Sequence, residues 1–180
     1  MPTYVAFLRA INLGPTRKFP KGDIVAVVES LGCTAVETYL NTGNVRLTTA
    51  LRSREKLEAA LEAAYVADRG FEVPTIVFAP AEIAAIAAQA SELGTGLPQV
   101  AMQYVSLLKE PAPPDAAAAL EGLEVPGEHV WVRDRAVHIA LEQHGGYHSA
   151  TITNALVEKT LGVATNRNLT VIRELARRWG

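Results

Sequence analysis

The periods of apolar and polar positions change several times along the first eighty residues, and the changes predict a series of strands and helices. Residues 3–10 are almost continuously apolar and rich in β-formers, which is typical of a central strand buried on both faces. The next apolar positions have the spacing of one helix face, and Gly32 ends that helix. These positions are Ile24, Val27, Val28 and Leu31.

A hairpin and a second helix complete the pattern of this first half. Residues 36–40 and 45–49 flank a short connection at residues 41–44, whose glycine suits a positive φ, so the two runs are predicted to pair as a β-hairpin. Ser53 can cap a second helix, and residues 73–79 return as a strand. The order βαββαβ predicts a ferredoxin-like layer, in which both helices cover one face of a four-stranded antiparallel sheet.

The second half repeats part of this order. An alanine-rich helix at 80–90 precedes a loop at 91–98 that marks a boundary. A strand, a helix, a hairpin and two further helices are predicted at residues 100–108, 114–120, 129–133 with 137–141, 150–161 (capped by Ser149) and 168–179. We therefore expect an α+β chain with a ferredoxin-like half at 1–80, a helix and linker at 81–98, and a second, related βαββα half with an extra C-terminal helix at 99–180.

Composition narrows the class of protein. The chain has 180 residues, of which 49% are hydrophobic and 20% are charged, as in ordinary globular proteins. The formal net charge of −2 lacks the basic excess of proteins that contact many nucleic-acid phosphates, so nucleic acid is not the expected partner. Cys33 is the single cysteine, and neither a signal sequence nor a long apolar span is visible. These features predict a cytoplasmic protein with no membrane partner.

The loop from Arg9 to Lys18 is the most informative segment for function. It is polar, cationic and glycine-containing, and it joins the first strand to the first helix. If the third strand runs antiparallel beside the first, the hairpin tip lies next to this loop. The first helix also begins there, and its N-terminal N–H groups favour an anion. The predicted ligand is a small phosphate or carboxylate, and the candidate residues are Arg9, Asn12, Lys18, Asn41, Gly43 and Asn44.

An alternative interpretation of the same loop needs no ligand. Asn12 and Asn44 can be turn residues whose side chains bond the local backbone, while Arg17 and Lys18 are solvated loop charges. The sequence leaves both interpretations open.

A second candidate lies before the last helix, at residues 165–168. A threonine or asparagine there can cap the helix, and the guanidinium of Arg167 suits a bidentate contact with an oxyanion. Arg167 and Asn168 are therefore further candidate ligand-binding residues. The alternative is capping alone.

No cofactor or metal is predicted. The chain has no Gly-Lys-Ser/Thr phosphate loop, no Gly-x-Gly-x-x-Gly fingerprint and no His-Glu-x-x-His motif. His144 and His148 are separated by glycines that disfavour a shared helix, and His138 is interpreted as a surface or cross-strand residue. Acidic residues such as Glu58 are interpreted as surface charges, and Cys33 as a small buried hydrophobe. No catalytic residue can be named.

Four motifs carry a resemblance that spans the whole chain. They are Arg9-x-Ile11-Asn12-Leu13-Gly14, Lys18, Tyr39-x-Asn41-Thr42-Gly43-Asn44-Val45 and Thr165-x-Arg167-Asn168. With them the sequence resembles bacterial domain-of-unknown-function family 1697, an uncharacterised family. The resemblance implies two ferredoxin-like halves and supplies no substrate or reaction. This chain departs from the family's usual pattern at several positions. The pattern has glycine where this chain has Ala10 and Pro15, lysine where it has Pro20, and tryptophan near the position of Leu169.

Three functions from different classes follow as hypotheses. The first is binding of a small anionic ligand at the edge formed by the first strand, first helix and hairpin. The second is a structural or interaction module that self-associates through its sheet or an edge strand. The third, with less support, is single-stranded nucleic-acid binding through a basic stripe of Arg9, Arg17, Lys18 and Lys21. The oligomeric state and any enzymatic activity stay open.

Overall fold

The computed structural model describes residues 1–97, 99–142 and 149–180 of the protein. These residues divide into two compact units. The first comprises Met1–Glu82 with Trp179, and the second comprises Ile83–Arg178 with Gly180. The division falls in the first turn of a helix that begins at Pro80.

The first unit follows the predicted order βαββαβ. Its elements are β1 (Thr3–Leu8), α1 (Lys21–Ser30), β2 (Thr34–Tyr39), β3 (Asn44–Thr48), α2 (Arg54–Arg69) and β4 (Thr75–Phe78). The strands form one antiparallel sheet in the order β2-β3-β1-β4. Because β1 and β3 are adjacent and antiparallel, the loop that follows β1 and the turn that precedes β3 lie at the same end of the sheet.

Helices α1 and α2 cover one face of this sheet. The predicted cap of α2 is confirmed, since the Ser53 side chain accepts a hydrogen bond from Lys56 N, and Gly70 ends the helix with φ 73°. Strand and helix side chains meet in one apolar core, which includes Leu47, Leu57 and Leu61. Burial of this core holds the sheet edge in place.

The second unit contains a sheet of the same order. After α3 (Pro80–Thr95) the elements are β5 (Met102–Leu108), α4 (Pro114–Glu121), β6 (Glu128–Arg133), β7 (Ala136–Leu141), α5 (Asn154–Leu161), β8 (Ala164–Asn168) and α6 (Leu169–Trp179). The antiparallel strands follow the order β6-β7-β5-β8. Residues of α4 and α5, including Leu120, Val157 and Leu161, form a core with Val137 and Ile139 on one face of this sheet. The α+β class and its two related halves are confirmed.

Three predictions for the second unit were wrong in detail. Strand β8 was not predicted, so the half is βαββαβ followed by a helix. Helix α5 begins at Asn154 and is capped by Thr153, and Ser149 does not cap it. Helix α3 continues to Thr95, past the predicted end at residue 90. Among the described residues, no helix combines the length and apolar character needed to span a lipid bilayer.

Candidate functional site

The loop after β1 and the β2–β3 hairpin tip lie side by side in the first unit. In the antiparallel ladder Phe7 is paired with Asn44, and Leu8 N donates a hydrogen bond of 2.8 Å to Gly43 O. The side chain of Asn12 then reaches the hairpin, where its Nδ2 lies 2.6 Å from Asn41 O. The adjacency predicted from the element order is therefore present in the structure.

Asn12 fixes the shape of the loop through its side-chain amide. Its Oδ1 accepts from Phe19 N at 2.8 Å, and its Nδ2 donates to Phe19 O at 3.1 Å as well as to Asn41 O. Its own backbone N–H donates to Arg17 O at 2.7 Å, which closes residues 12–17 on themselves. Phe19 is fully buried and packs edge to face on Tyr65 at 5.2 Å, so the loop is anchored in the core.

The backbone of this loop adopts conformations that most residues avoid. Ala10, Asn12 and Gly14 have φ of 57°, 56° and 66°, three left-handed residues within five positions. On the hairpin, Leu40 has φ 59°. Such residues cost free energy unless their surroundings hold them, and they concentrate at functional sites.

Gly43 is required by close packing as well as by its backbone angle. Its φ is 78°, and a Cβ built there would lie 2.6 Å from Leu8 Cβ and 3.0 Å from Ile11 Cδ1. The hairpin tip can therefore approach β1 only because residue 43 has no side chain. Next to it, Asn44 is fully buried and its Nδ2 donates to Tyr39 O at 2.8 Å and to Thr42 Oγ1 at 3.0 Å.

Four cations and no carboxylate occur between residues 9 and 22. Arg17 is held by the fold, because its Nε donates to Ala10 O and its Nη2 to Glu72 O, both at 2.6 Å. Lys18 and Lys21 are exposed, and within the described part of the chain their side chains make no hydrogen bond or ion pair. The half-buried Arg9 follows β1 directly, and its backbone N–H donates to Pro74 O.

Helix α1 begins beside these cations without a side-chain cap. Its N-cap residue is Pro20, and the first intrahelical bond runs from Ile24 N to Pro20 O. The N–H groups of the first turn are therefore left for solvent or a ligand. Asp23 in that turn pairs with Arg69 at 2.9 Å.

The structure thus brings together all six candidates of the first unit, Arg9, Asn12, Lys18, Asn41, Gly43 and Asn44, at one edge of the sheet. The Asn44 amide bonds Tyr39 O and Thr42 Oγ1 of its own hairpin, as the turn interpretation expects. The Asn12 amide bonds Phe19 in its own loop and also Asn41 O in the hairpin, so it does more than shape a local turn. Lys18 and Lys21 are charged groups of this loop whose side chains have no partner among the described residues, and Lys21 was not one of the predicted site residues.

The two C-terminal candidates lie in the second unit. Arg167 is on β8 and only 7% exposed, and its Nη1 donates to Thr165 Oγ1 and Asn166 O, both at 2.8 Å. Burial lowers the pKa of Arg167 to about 10, so the guanidinium stays charged at neutral pH. Asn168 caps α6 by accepting from Thr170 N at 2.8 Å, as the alternative interpretation expected.

His138 on β7 is an unusual buried histidine. It is 2% exposed and is paired across the sheet with Val105 and Trp131, so of the two predicted alternatives it is the cross-strand residue and not the surface one. Neither ring nitrogen has a hydrogen-bond partner. Burial, and then the charge of Arg133, lower the pKa of His138 to about 4. A histidine within the apolar run of residues 136–141 was the available signal.

The other histidines give no comparable site. His129 Nε2 lies 2.8 Å from Glu142 Oε1. His144 and His148 lie outside the described residues. Among residues that are described, no group of three or more His, Cys, Asp or Glu side chains could hold a metal ion.

Two α+β units, each with a four-stranded antiparallel sheet and helices on one face, define the class of this protein. The chain belongs to the family described as "Protein of unknown function (DUF1697)", whose model matches residues 1–138. This confirms the family drawn from the loop and hairpin motifs.

A solved structure shares this fold. The conserved bacterial protein SP0830 from Streptococcus pneumoniae is 21% identical, with a TM-score of 0.75 over 98% of this chain and 97% of that one. At this identity the likeness shows the fold alone. Among curated proteins, no sequence matches the chain.

Proposed function

We propose that the first unit binds a small anionic ligand, bearing a phosphate or carboxylate group, at the loop between β1 and α1. Arg9 and Lys18 supply the charge. Asn12, Asn41, Gly43 and Asn44 form the framework that holds the loop against the hairpin.

One observation carries the proposal: a cationic loop without carboxylates is fixed in a left-handed backbone conformation by the side chain of Asn12. An ordinary surface loop gains little from holding Ala10 and Asn12 at positive φ. A binding loop does gain, because ordering it in advance removes part of the entropy cost of association.

The electrostatics support an anion over a neutral ligand. The exposed Lys18 and Lys21 lie on either side of Pro20, the N-cap of α1. The uncapped N–H groups of that helix add the positive end of its dipole to the same place. A phosphate or carboxylate oxygen can accept from the ammonium groups and from backbone N–H groups together.

A binding measurement with matched lysine variants tests the proposal. Inorganic phosphate, acetate and adenosine monophosphate are titrated by calorimetry, and thermal unfolding is followed at saturating concentrations. Because a charge-assisted hydrogen bond is lost, Lys18→Gln should weaken binding about tenfold. Lys56→Gln is the control, since Lys56 is an exposed lysine on α2 whose side chain has no partner among the described residues.

The expected result is that at least one anion raises the unfolding temperature, and that Lys18→Gln, but not Lys56→Gln, reduces the affinity. The proposal fails if none of the three anions produces a thermal shift. It also fails if both variants bind with the affinity of the unmodified protein.

A further inference from the structure

Leu13 and Lys18 are neighbours in space within the loop between β1 and α1. The Asn12 amide bonds both the N–H and the C=O of Phe19, so these two residues are held together as a pair. Leu13 follows Asn12 in the chain, and Lys18 precedes Phe19. Successive Cα atoms are about 3.8 Å apart, so Leu13 and Lys18 each lie one short step from the bonded pair. An apolar and a cationic residue therefore occupy the same part of the loop.

The hairpin adds a second leucine at this place. Asn12 Nδ2 donates to Asn41 O at 2.6 Å, and Leu40 directly precedes Asn41. Leu13 and Leu40 are therefore each adjacent to one end of the same hydrogen bond, although they belong to different segments of the chain.

Both leucines are exposed in a part of the protein that is otherwise well anchored. Leu13 is 62% exposed, more than any other large apolar residue described except Met1, and Leu40 is 43% exposed. Ile11 and Phe19 of the same loop are buried. The loop thus buries two apolar side chains in the core and leaves Leu13 in water, where covering it would be favourable.

Leu40 is also in an unfavourable backbone conformation. Its φ is 59°, in the left-handed region, where turns usually have glycine, asparagine or aspartate. A leucine at such a position costs free energy, and a side chain that stays 43% exposed recovers only part of it by burial. Contact between this side chain and a ligand would give leucine a role that asparagine cannot fill.

The cations beside the leucines determine which apolar partner fits. Lys18 and Lys21 are exposed, and their side chains make no hydrogen bond or ion pair within the described part of the chain. No carboxylate occurs between residues 9 and 22 to neutralise them. The surface there is open, because a Cβ built at Gly14 or Gly22 meets nothing within 4 Å. Charge complementarity selects an anion, and the exposed leucines favour one with an attached hydrocarbon chain.

We propose that the loop site takes anions that carry a short alkyl chain, with Lys18 on the anionic group and Leu13 and Leu40 on the chain. This inference rests on the anion binding proposed for the first unit and adds the class of ligand. The carboxylate or phosphate accepts from the Lys18 ammonium, while the hydrocarbon covers the two leucines and leaves water.

Two matched series of ligands test this class. Acetate, butanoate and hexanoate are titrated by calorimetry into the full-length chain as dissolved monomers, and inorganic phosphate is compared with butyl phosphate. Affinity should rise about twofold for each added methylene, since a methylene that rests on a surface is buried on one side only. Hexanoate should therefore bind roughly fifteenfold more tightly than acetate. Hexanamide, which has no charge, should bind more weakly than hexanoate.

Variants separate the apolar contacts from the charged one. Leu13→Ser should reduce the preference for hexanoate over acetate about fourfold. Lys18→Gln should weaken both anions by a similar factor and leave the preference unchanged. Leu51→Ser is the control, because Leu51 is an exposed leucine beyond the other end of β3, and it should change neither affinity.

Leu40→Asn gives a readout that a merely structural role would not produce. Asparagine tolerates a positive φ better than leucine, so this variant should raise the unfolding temperature. It should at the same time reduce the preference for hexanoate about fourfold. A leucine that served only the fold would lose stability on replacement.

The outcomes distinguish this inference from the anion site on which it rests. Equal affinity for acetate and hexanoate, or binding of adenosine monophosphate alone, would overturn the alkyl-chain inference and leave the anion site standing. If none of these anions binds, both proposals fail. Full hexanoate preference in both leucine variants would also contradict the inference. So would sedimentation with phosphatidylglycerol vesicles that requires Leu13 while monomers show no chain-length preference, since the leucines would then serve a lipid surface.

Discussion

The carboxylate of Glu58 accepts a hydrogen bond of 2.7 Å from the backbone N–H of Val77, although Glu58 is only 2% exposed. Glu62 accepts from Thr75 N in the same way at 2.8 Å. Strand β4 is an edge strand, and alternate N–H groups of an edge point away from the sheet. Glutamates of α2 therefore bind the outward N–H groups that could otherwise pair with another chain.

The opposite edge of this sheet is also protected. The register of β2 with β3 shifts between Thr34 and Glu37, and Ala35 within that shift has φ 50°. Bulges and edge charges both interrupt pairing with another strand. Self-association through the edges of the first sheet is thus the less supported of the two leading functional hypotheses.

The first prediction concerns the buried carboxylate. Glu58→Ala should lower the free energy of unfolding by about 3 kcal/mol, because Val77 N loses a charged acceptor at a buried position. Glu55→Ala, an exposed glutamate in the first turn of α2, should cost only about 0.5 kcal/mol. Denaturation in urea measures both.

Removing both glutamates should expose the outward N–H groups of edge strand β4, and self-association then gives a second measurement. The Glu58→Ala, Glu62→Ala double variant should form dimers or larger species by light scattering, at concentrations where the unmodified chain does not change its state. A double variant with unchanged stability and unchanged mass would contradict the role assigned to the two glutamates.

The second prediction tests the packing of the hairpin tip. Gly43→Ala should lower the free energy of unfolding by about 3 kcal/mol, since it adds a strained φ and a Cβ that lies 2.6 Å from Leu8 Cβ. Gly70→Ala is the matched control: its φ is 73° and a Cβ there meets nothing within 4 Å, so about 1 kcal/mol is expected. Equal losses for the two variants would show that the contact with Leu8 has no energetic weight.

Much of the first unit could be predicted because local signals and tertiary structure agree there. Ser53 and Gly70 are ordinary helix signals at the positions where α2 is capped and ended. The meeting of loop and hairpin followed from element order alone. Burial of Glu58 could not be predicted, because its carboxylate is satisfied by Val77, nineteen positions away in the sequence.

In the second unit, long-range hydrogen bonds determine where a helix starts when the local sequence allows more than one position. Ser149 and Thr153 are both suitable caps, but Glu128 accepts from Thr151 N and Ile152 N, each at 2.7 Å. These bonds hold the two residues outside the helix, so α5 starts after Thr153. Strand β8 has no apolar alternation, and its conformation comes from pairing with β5. The lack of a hydrogen-bond partner for the His138 ring likewise results from tertiary packing, which the local sequence does not reveal.

The third prediction concerns a buried hydroxyl. Tyr65 OH has no hydrogen-bond partner, and burial raises its pKa. Tyr65→Phe removes an unsatisfied polar atom and keeps the ring on Phe19, so it should leave stability unchanged or raise it by up to about 1 kcal/mol. Tyr4→Phe is the control, because Tyr4 OH donates to Arg52 O at 3.0 Å and its loss should cost about 1 kcal/mol. The unfolding temperature should therefore fall for Tyr4→Phe and should rise or stay unchanged for Tyr65→Phe. A comparable loss in both would contradict the assignment.

The fourth prediction is a pH dependence caused by His138. Its pKa is 6.5 in its ordinary state and about 4 in the folded chain, where burial and Arg133 disfavour the charged ring. Above pH 6.5 the ring is neutral in both states and contributes no dependence. Between pH 6.5 and 4 the unfolded chain binds a proton that the folded chain does not, so the free energy of unfolding falls with pH. The fall levels off below pH 4 at about 3 kcal/mol.

Subtraction isolates this effect from the titration of carboxylates. The stability difference between the unmodified chain and His138→Leu should be constant above pH 7 and should move in favour of the variant as the pH falls to 4, in urea denaturation at closely spaced pH values. The ring resonances of His138 should in addition stay those of the neutral form down to pH 5. Parallel pH profiles for the two proteins, or a His138 ring that titrates near pH 6.5, would show that the imidazole is solvated in the folded state.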